Sequence, residues 1–248
     1  MSIESEKDLL ALRRVGRIAR LALEKMRAAV RAGVTTAELD RVGAAVLAEH
    51  GARSAPRLVY GFPSEASCIS VNDEVVHGIP GEREIRPGDV VKLDVTAEKD
   101  GYMADTALTV VVPPATGDKR RLEACARAAF GRAMAVARAG TPVNEIGRAV
   151  EAEVRRRGFS VVPGLHGHGI GRTIHEPPSV PNQHDPRLWQ RLTEGLVITV
   201  EPIIAQRSGR CVEESDGWTV RTADGGLAAH YEHTLVVTRG RPILLTAA

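Results

Sequence analysis

Cysteine is scarce and dispersed. The chain carries three, Cys68, Cys125 and Cys211. An odd number with no paired spacing excludes a disulfide framework and a thiolate zinc site, and reads as free thiols in a reducing compartment. Net charge of either sign is also nearly absent: 33 Lys+Arg against 31 Asp+Glu leave +2, which excludes nucleic-acid binding driven by bulk charge. Lysine is rare, with 28 of the 33 basic residues being arginine, a compositional bias. Long apolar runs are missing too. Val110–Val112 is typical of those present and is far too short to span a bilayer. The opening Ser2–Lys7 is acidic and lacks the apolar core of a signal peptide, so the expectation is a cytoplasmic protein. What remains is ordinary globular material, 248 residues with 43% hydrophobic and 26% charged. A chain of this length buries roughly 70–75% of its unfolded surface and needs no covalent staples.

An internal repeat organises it. Gly33-Val34-Thr35-Thr36 opens a helix that stops near Gly51, and Gly140-Thr141-Pro142-Val143 opens another that stops near Gly158, at a constant offset of 107. Thr35 or Thr36 caps the first; Thr141, with Pro142 in the first turn, caps the second. At the same offset, the β-branched run Gly88–Asp94 is copied by Gly195–Glu201, each ending in a carboxylate. His77-Gly78-Ile79 matches His168-Gly169-Ile170, and Asp105-Thr106-Ala107-Leu108 matches Glu232-His233-Thr234-Leu235. Each half reads helix, helix, strands. The expected class is α+β, two pseudo-symmetric halves (roughly 33–112 and 140–240) with helices on one face of a shared antiparallel sheet. No linker divides them, so 1–248 is read as one domain. Ahead of the repeat, Glu6–Ala32 has apolar residues at helical spacing. Arg13, Arg17, Arg20 and Arg31 lie opposite, as a solvated face or a dock for an acidic partner.

The repeated carboxylates carry the chemistry. Asp100-Gly101 is a hairpin turn signal, and if Asp94 and Asp105 pair across that hairpin the midpoint is 99.5, at the turn. Carboxylates held that close among apolar residues repel unless a proton or cation intervenes. Glu201 and Glu232 are centred on Asp216-Gly217, although Asp224-Gly225-Gly226 marks a competing turn. With His168 added, the donor set suits two divalent ions about 3.5–4 Å apart, of the Mn, Fe(II), Co or Zn type. Asp94 and Asp105 come from one half, His168 and Glu201 from the other, and Glu232 completes a bridge. Such a pair of ions activates a water and polarises a carbonyl, which is hydrolase chemistry. Among the remaining histidines, His77 and His175 stand beside Gly/Pro breaks and could serve as donors to an oxyanion or as structural residues. His166 would point to the same side of a strand as His168. His50, His184 and His230 read as helix-end or loop residues, and His233 as structural.

Taken in order, several segments resemble the type I methionine aminopeptidases, the compact pita-bread metallopeptidases. They are Ser70–Pro80, Leu93–Thr96, Asp100–Thr106, Gly167–Arg172, His175–Pro178, Val200–Pro202, Asp216–Val220 and Tyr231–Thr234. The resemblance implies that Asp94, Asp105, His168, Glu201 and Glu232 hold two divalent metal ions, with Asp105 and Glu232 bridging. It implies that Glu201 shuttles the proton, that His77 and His175 contact the scissile amide, and that Phe62, Cys68 and Trp218 line the methionine pocket. It further implies a monomer acting on nascent polypeptide N-termini with a small second residue, in reach of the ribosome, with no membrane and no direct nucleic-acid readout. Glu201 and Glu232 lie only 31 residues apart, which favours type I. Pro56–Tyr60 and His166 depart from the family pattern and bear on pocket shape. Two rival readings are a prolidase-like Xaa-Pro peptidase and a non-catalytic binding module of the same fold.

Overall fold

Short polar side chains set where the helices begin. In a computed structural model, which describes residues 1–247, α1 spans Glu6–Ala29 and is capped by Ser5, whose side chain accepts from the Asp8 N–H. Helix α2, Thr36–Glu49, starts with a reciprocal capping box between Thr35 and Glu38. Two further helices, α3 (Ala55–Tyr60) and α4 (Gly117–Val136), precede α5, Asn144–Arg156. The second copy of the helix start differs from the sequence expectation. Thr141 and Pro142 lie outside α5, whose N-cap is Val143 without a side-chain cap bond, and Pro142 bridges Arg191 as Thr35 bridges Glu84. Equivalent hydrogen bonds repeat at the same offset, Gly33 N–H to the Ile85 carbonyl and Gly140 N–H to that of Leu192. The repeat is therefore structural as well as compositional.

Helix α1 buries Leu12, Val15, Ala19, Ala22, Leu23 and Met26 completely, a stripe at helical spacing. Each large apolar side chain of this kind contributes roughly 1.5–3 kcal/mol. With α2, this stripe packs in one core on Leu93, Val95 and Leu108; α4 and α5 form a second core with Ile198, Val200 and Leu235. Arg20 departs from the exposed arginine face expected of α1: it is only 18% exposed at its side chain and pairs with Glu24, whereas Arg13 and Arg17 are exposed.

A nine-stranded antiparallel sheet crosses both halves. Its first-half strands are Arg53–Ser54, Cys68–Val71, Val90–Lys99 and Tyr102–Val111. Its second-half strands are Gly167–Gly169, Glu176–Val180, Val197–Val200, Glu232–Val236 and Ile243–Leu244. The halves meet where Thr106 pairs with His233, and the Thr234 hydroxyl bonds both the N–H and the carbonyl of Asp105. Since Asp105–Leu108 and Glu232–Leu235 are copies of each other, the pseudo-symmetry axis passes between these two strands.

Register decides which side chains meet. Asp100 and Gly101 both have positive φ, 53° and 78°, the signature of a two-residue I′ turn that pairs Lys99 with Tyr102. Asp94 consequently pairs with Ala107, and Asp105 with Thr96. The expectation that the two aspartates oppose each other directly is corrected to a diagonal relation on one face, within reach of side chains. The later connection is one long folded ribbon. Val200 pairs with His233, Ile203 with His230, Ala205 with Ala228, and Cys211 with Thr222. All these pairs share one midpoint, between Asp216 and Gly217. The Asp224-Gly225-Gly226 turn lies within an excursion of the returning strand and is matched by an equal excursion opposite, so the register survives it.

Candidate metal centre and substrate cleft

Asp94 lies mid-strand and Asp105 on the neighbouring strand, both facing the side of the sheet away from the helices. Glu232 opens its strand at the molecular midline, and Glu201 follows Val200 just beyond the strand end. His168 enters from Gly167–Gly169, whose first glycine lets the strand approach the Thr199 carbonyl. Two sets of ligand atoms converge within 4.8 Å of one another: Asp94 with His230 and Glu232, and Asp105 with His168 and Glu232. Glu232 belongs to both. Glu201 stands beside them, its Oε1 3.6 Å from His168 Nε2.

The residues fit a cation by the standard of unsatisfied polar atoms. Asp94 Oδ1, Asp105 Oδ1, Glu232 Oε1 and His230 Nε2 are buried without a hydrogen-bond partner among the described residues. Such atoms ordinarily cost about 1–3 kcal/mol each. Four that converge on one place call for a shared positive charge. The acid–base picture agrees. Burial and then the Asp105 charge push Asp94 well above the usual carboxylate range, and the same two causes act on Glu201 and Glu232. Burial also raises Asp105. His168 is held neutral, its pKa lowered to about 4 by burial. Its Nδ1 lies 2.9 Å from the Gly169 carbonyl, which can only accept, so Nδ1 carries the proton and Nε2 presents a lone pair to the carboxylates.

Two side chains that sequence reasoning passed over fix this cluster. Thr199 donates to Glu201 Oε1 at 2.8 Å and accepts from the His168 N–H, tying the two residues together. Asn182 donates to the Glu201 carbonyl at 2.8 Å. Their signal is faint in the sequence, because threonine in a strand and asparagine in a loop are ordinary there.

The cluster forms the floor of a cavity of about 830 Å³. Phe62 and Cys68, six residues apart, and Trp218, from far along the chain, line it together. The Phe62 and Trp218 rings meet edge to face at 5.1 Å, and the Cys68 thiol is pushed well above its usual pKa by burial. This wall is apolar and uncharged. On the rim, His77 holds a positive φ of 57°, unusual for a side-chain-bearing residue and the kind of strain that collects at functional sites. His175 stands opposite, its ring 4.3 Å from that of His168. Burial lowers the pKa of both rim histidines, so both are neutral at pH 7. Tyr60, the last residue of α3, bonds His175 Nδ1 through its hydroxyl at 2.7 Å. His166 lines the same cavity as His168. His233 is turned away, bonded to Thr246 and Tyr231. His230, expected to be a bland loop residue, is instead 2% exposed and inside the cluster.

A carboxylate and imidazole cluster under an apolar cleft defines a hydrolytic metal centre as a class. The family comparison makes it specific. Residues 11–239 match the model of metallopeptidase family M24, and the chain belongs to that family. It is 43% identical over 248 residues to methionine aminopeptidase 2 of Bacillus subtilis, covering 99% of each chain. The crystal structure of methionine aminopeptidase from Rickettsia prowazekii superposes with a TM-score of 0.94 at 34% identity, and that from Thermotoga maritima with 0.95 at 29%; in both cases all of each chain is covered. The α+β architecture expected from the repeat is that of the pita-bread fold.

Proposed function

We propose that this chain is a metal-dependent aminopeptidase that removes the N-terminal methionine of nascent proteins whose second residue is small. The observation that carries the reading is the convergence of buried, unpartnered ligand atoms beneath a cleft walled by Phe62, Cys68 and Trp218. Asp94, Asp105, His168, Glu201 and Glu232 would hold two divalent ions. Bound there, the ions supply a nucleophilic water at neutral pH and an electrophile for the scissile carbonyl.

The protein's own groups do the rest. The aromatic pair and the neutral thiol receive a flexible thioether side chain. Glu201, with its pKa raised and one oxygen held by Thr199, takes a proton from the attacking water and returns it to the leaving amine. His77 and His175, kept neutral, orient the scissile amide from the rim and donate to the oxygen on which charge develops. Because the sheet that supplies these residues runs through both halves, residues 1–248 are read as one catalytic domain; a monomer in the cytoplasm is the further expectation for an enzyme that meets nascent chains.

Peptide cleavage by metal-stripped protein, resupplied in turn with Mn, Fe(II), Co or Zn, tests the reading. Met-Ala peptides should be cleaved, Met-Lys, Leu-Ala and Xaa-Pro peptides should not, and Glu201→Gln should abolish turnover. Xaa-Pro cleavage would move the function to a prolidase-like reading, and silence with every metal would leave a binding module. A co-translational role also suggests that exposed Arg13, Arg14 and Arg17 of α1 dock on the ribosome. Charge reversal at these three should lower co-sedimentation with ribosomes at low salt, and unchanged co-sedimentation rejects the dock.

A further inference from the structure

His230 has the wrong surroundings for a structural histidine. It ends the strand Ala228–His230 and pairs with Ile203, two residues before Glu232. Its backbone is locked on both sides by one hydroxyl: the N–H donates to Thr109 Oγ1 at 2.9 Å, and that hydroxyl donates to the His230 carbonyl at 2.8 Å. The ring thus has a fixed position, 2% exposed, with Nε2 aimed into the carboxylate cluster. Nε2 nonetheless bonds to nothing among the described residues. It lies 3.6 Å from Glu232 Oε2 and 3.8 Å from Glu201 Oε2. Those separations are too long for hydrogen bonds. They suit two donors on one ion: ligand atoms about 2.0–2.2 Å from a metal at a tetrahedral angle stand roughly 3.4 Å apart.

We propose that His230 Nε2 is an additional metal ligand, completing with Asp94 and Glu232 a second nitrogen-containing site beside that of Asp105, His168 and Glu232. This rests on the metallopeptidase reading of the same cluster. The two ligand sets are distinct apart from Glu232, and each contains one imidazole. Without His230 the Asp94 position would be all oxygen, the donor type that suits Mn or Mg. With it, the position gains an imidazole, which suits Zn, Co and Fe. His230 thereby narrows the metal preference of the second ion.

The test is binding of the metal alone to metal-stripped protein, wild type and His230→Gln, by titration calorimetry with Co(II), Zn(II) and Mn(II). Wild type should take two equivalents. In His230→Gln the second Co(II) and Zn(II) equivalents should weaken at least about 10-fold, the second Mn(II) equivalent by much less, and the first equivalents should hold. Unchanged second-equivalent affinities for all three metals overturn the assignment. Should the variant fail to fold, Co(II)-loaded wild type decides: proton NMR should show two hyperfine-shifted, solvent-exchangeable imidazole N–H signals, and a single one overturns it. The two readings separate cleanly. Loss of the second Co(II) equivalent in a protein that never cleaves Met-Ala peptide supports the ligand and sinks the peptidase. Cleavage with unaltered binding in His230→Gln sinks the ligand alone.

Discussion

At the scale of single residues, chemistry is most readable where the sequence asks for something it cannot supply. Four carboxylates in apolar runs, copied between two halves, demand a counter-charge, and that demand is visible before any fold. His230 makes no comparable demand. Its neighbours Ala229 and Tyr231 are unremarkable, and only the pairing of its strand with Ile203 turns the ring into the cluster. Tyr60 is hidden for the same reason, since α3 brings it to a histidine 115 residues away. Its hydroxyl fixes one nitrogen of His175, and so the direction in which the other can act. Tyr60→Phe should therefore lower kcat for Met-Ala peptide about 2- to 10-fold, the worth of one neutral hydrogen bond, with KM little changed. Steady-state kinetics checks this, and a change confined to KM would assign Tyr60 to substrate binding instead.

Elements were legible where local rules are strict. The cap at Thr35 is one of two threonines offered by side-chain chemistry, and the midpoint at Asp216-Gly217 gives the register of a whole ribbon despite its excursions. The Asp94–Asp105 pairing shows the limit. A turn dipeptide locates a hairpin, but whether its centre falls before or after one residue depends on turn type, and a I′ turn moves each aspartate one pair along. That turn needs a left-handed residue at Gly101, where φ is 78°. A Cβ there would meet only the Arg172 Nη1 at 3.7 Å, an ordinary contact, so the cost of a side chain is purely conformational. Gly101→Ala should lower unfolding free energy by about 1–2 kcal/mol, measured by urea denaturation. Because the hairpin carries both aspartates, the same change should weaken metal binding; a full loss of stability without weaker binding would separate the turn from the site.

Across the whole molecule, the cluster joins the halves: Asp94 and Asp105 come from one, His168, Glu201 and Glu232 from the other. Without a cation this junction is a liability whose sign follows from the raised carboxylate pKa values. A carboxyl group with a pKa raised on folding is fully tolerated below its unfolded value, near pH 4, and loses stability as pH rises toward its native value, because the unfolded chain sheds the proton first. Asp94, raised by burial and by Asp105, should behave this way. In metal-stripped protein, Asp94→Asn should then be more stable than wild type at pH 8, with the difference vanishing toward pH 4. Adding Co(II) or Mn(II) should invert the order, since the metal stabilises only the native state that can bind it. Thermal melts of both proteins, stripped and loaded, across pH 4–8 would show the crossing. Parallel melts, or a variant less stable under both conditions, would mean that Asp94 holds the fold by packing and that a cation is not what its carboxylate is built to meet.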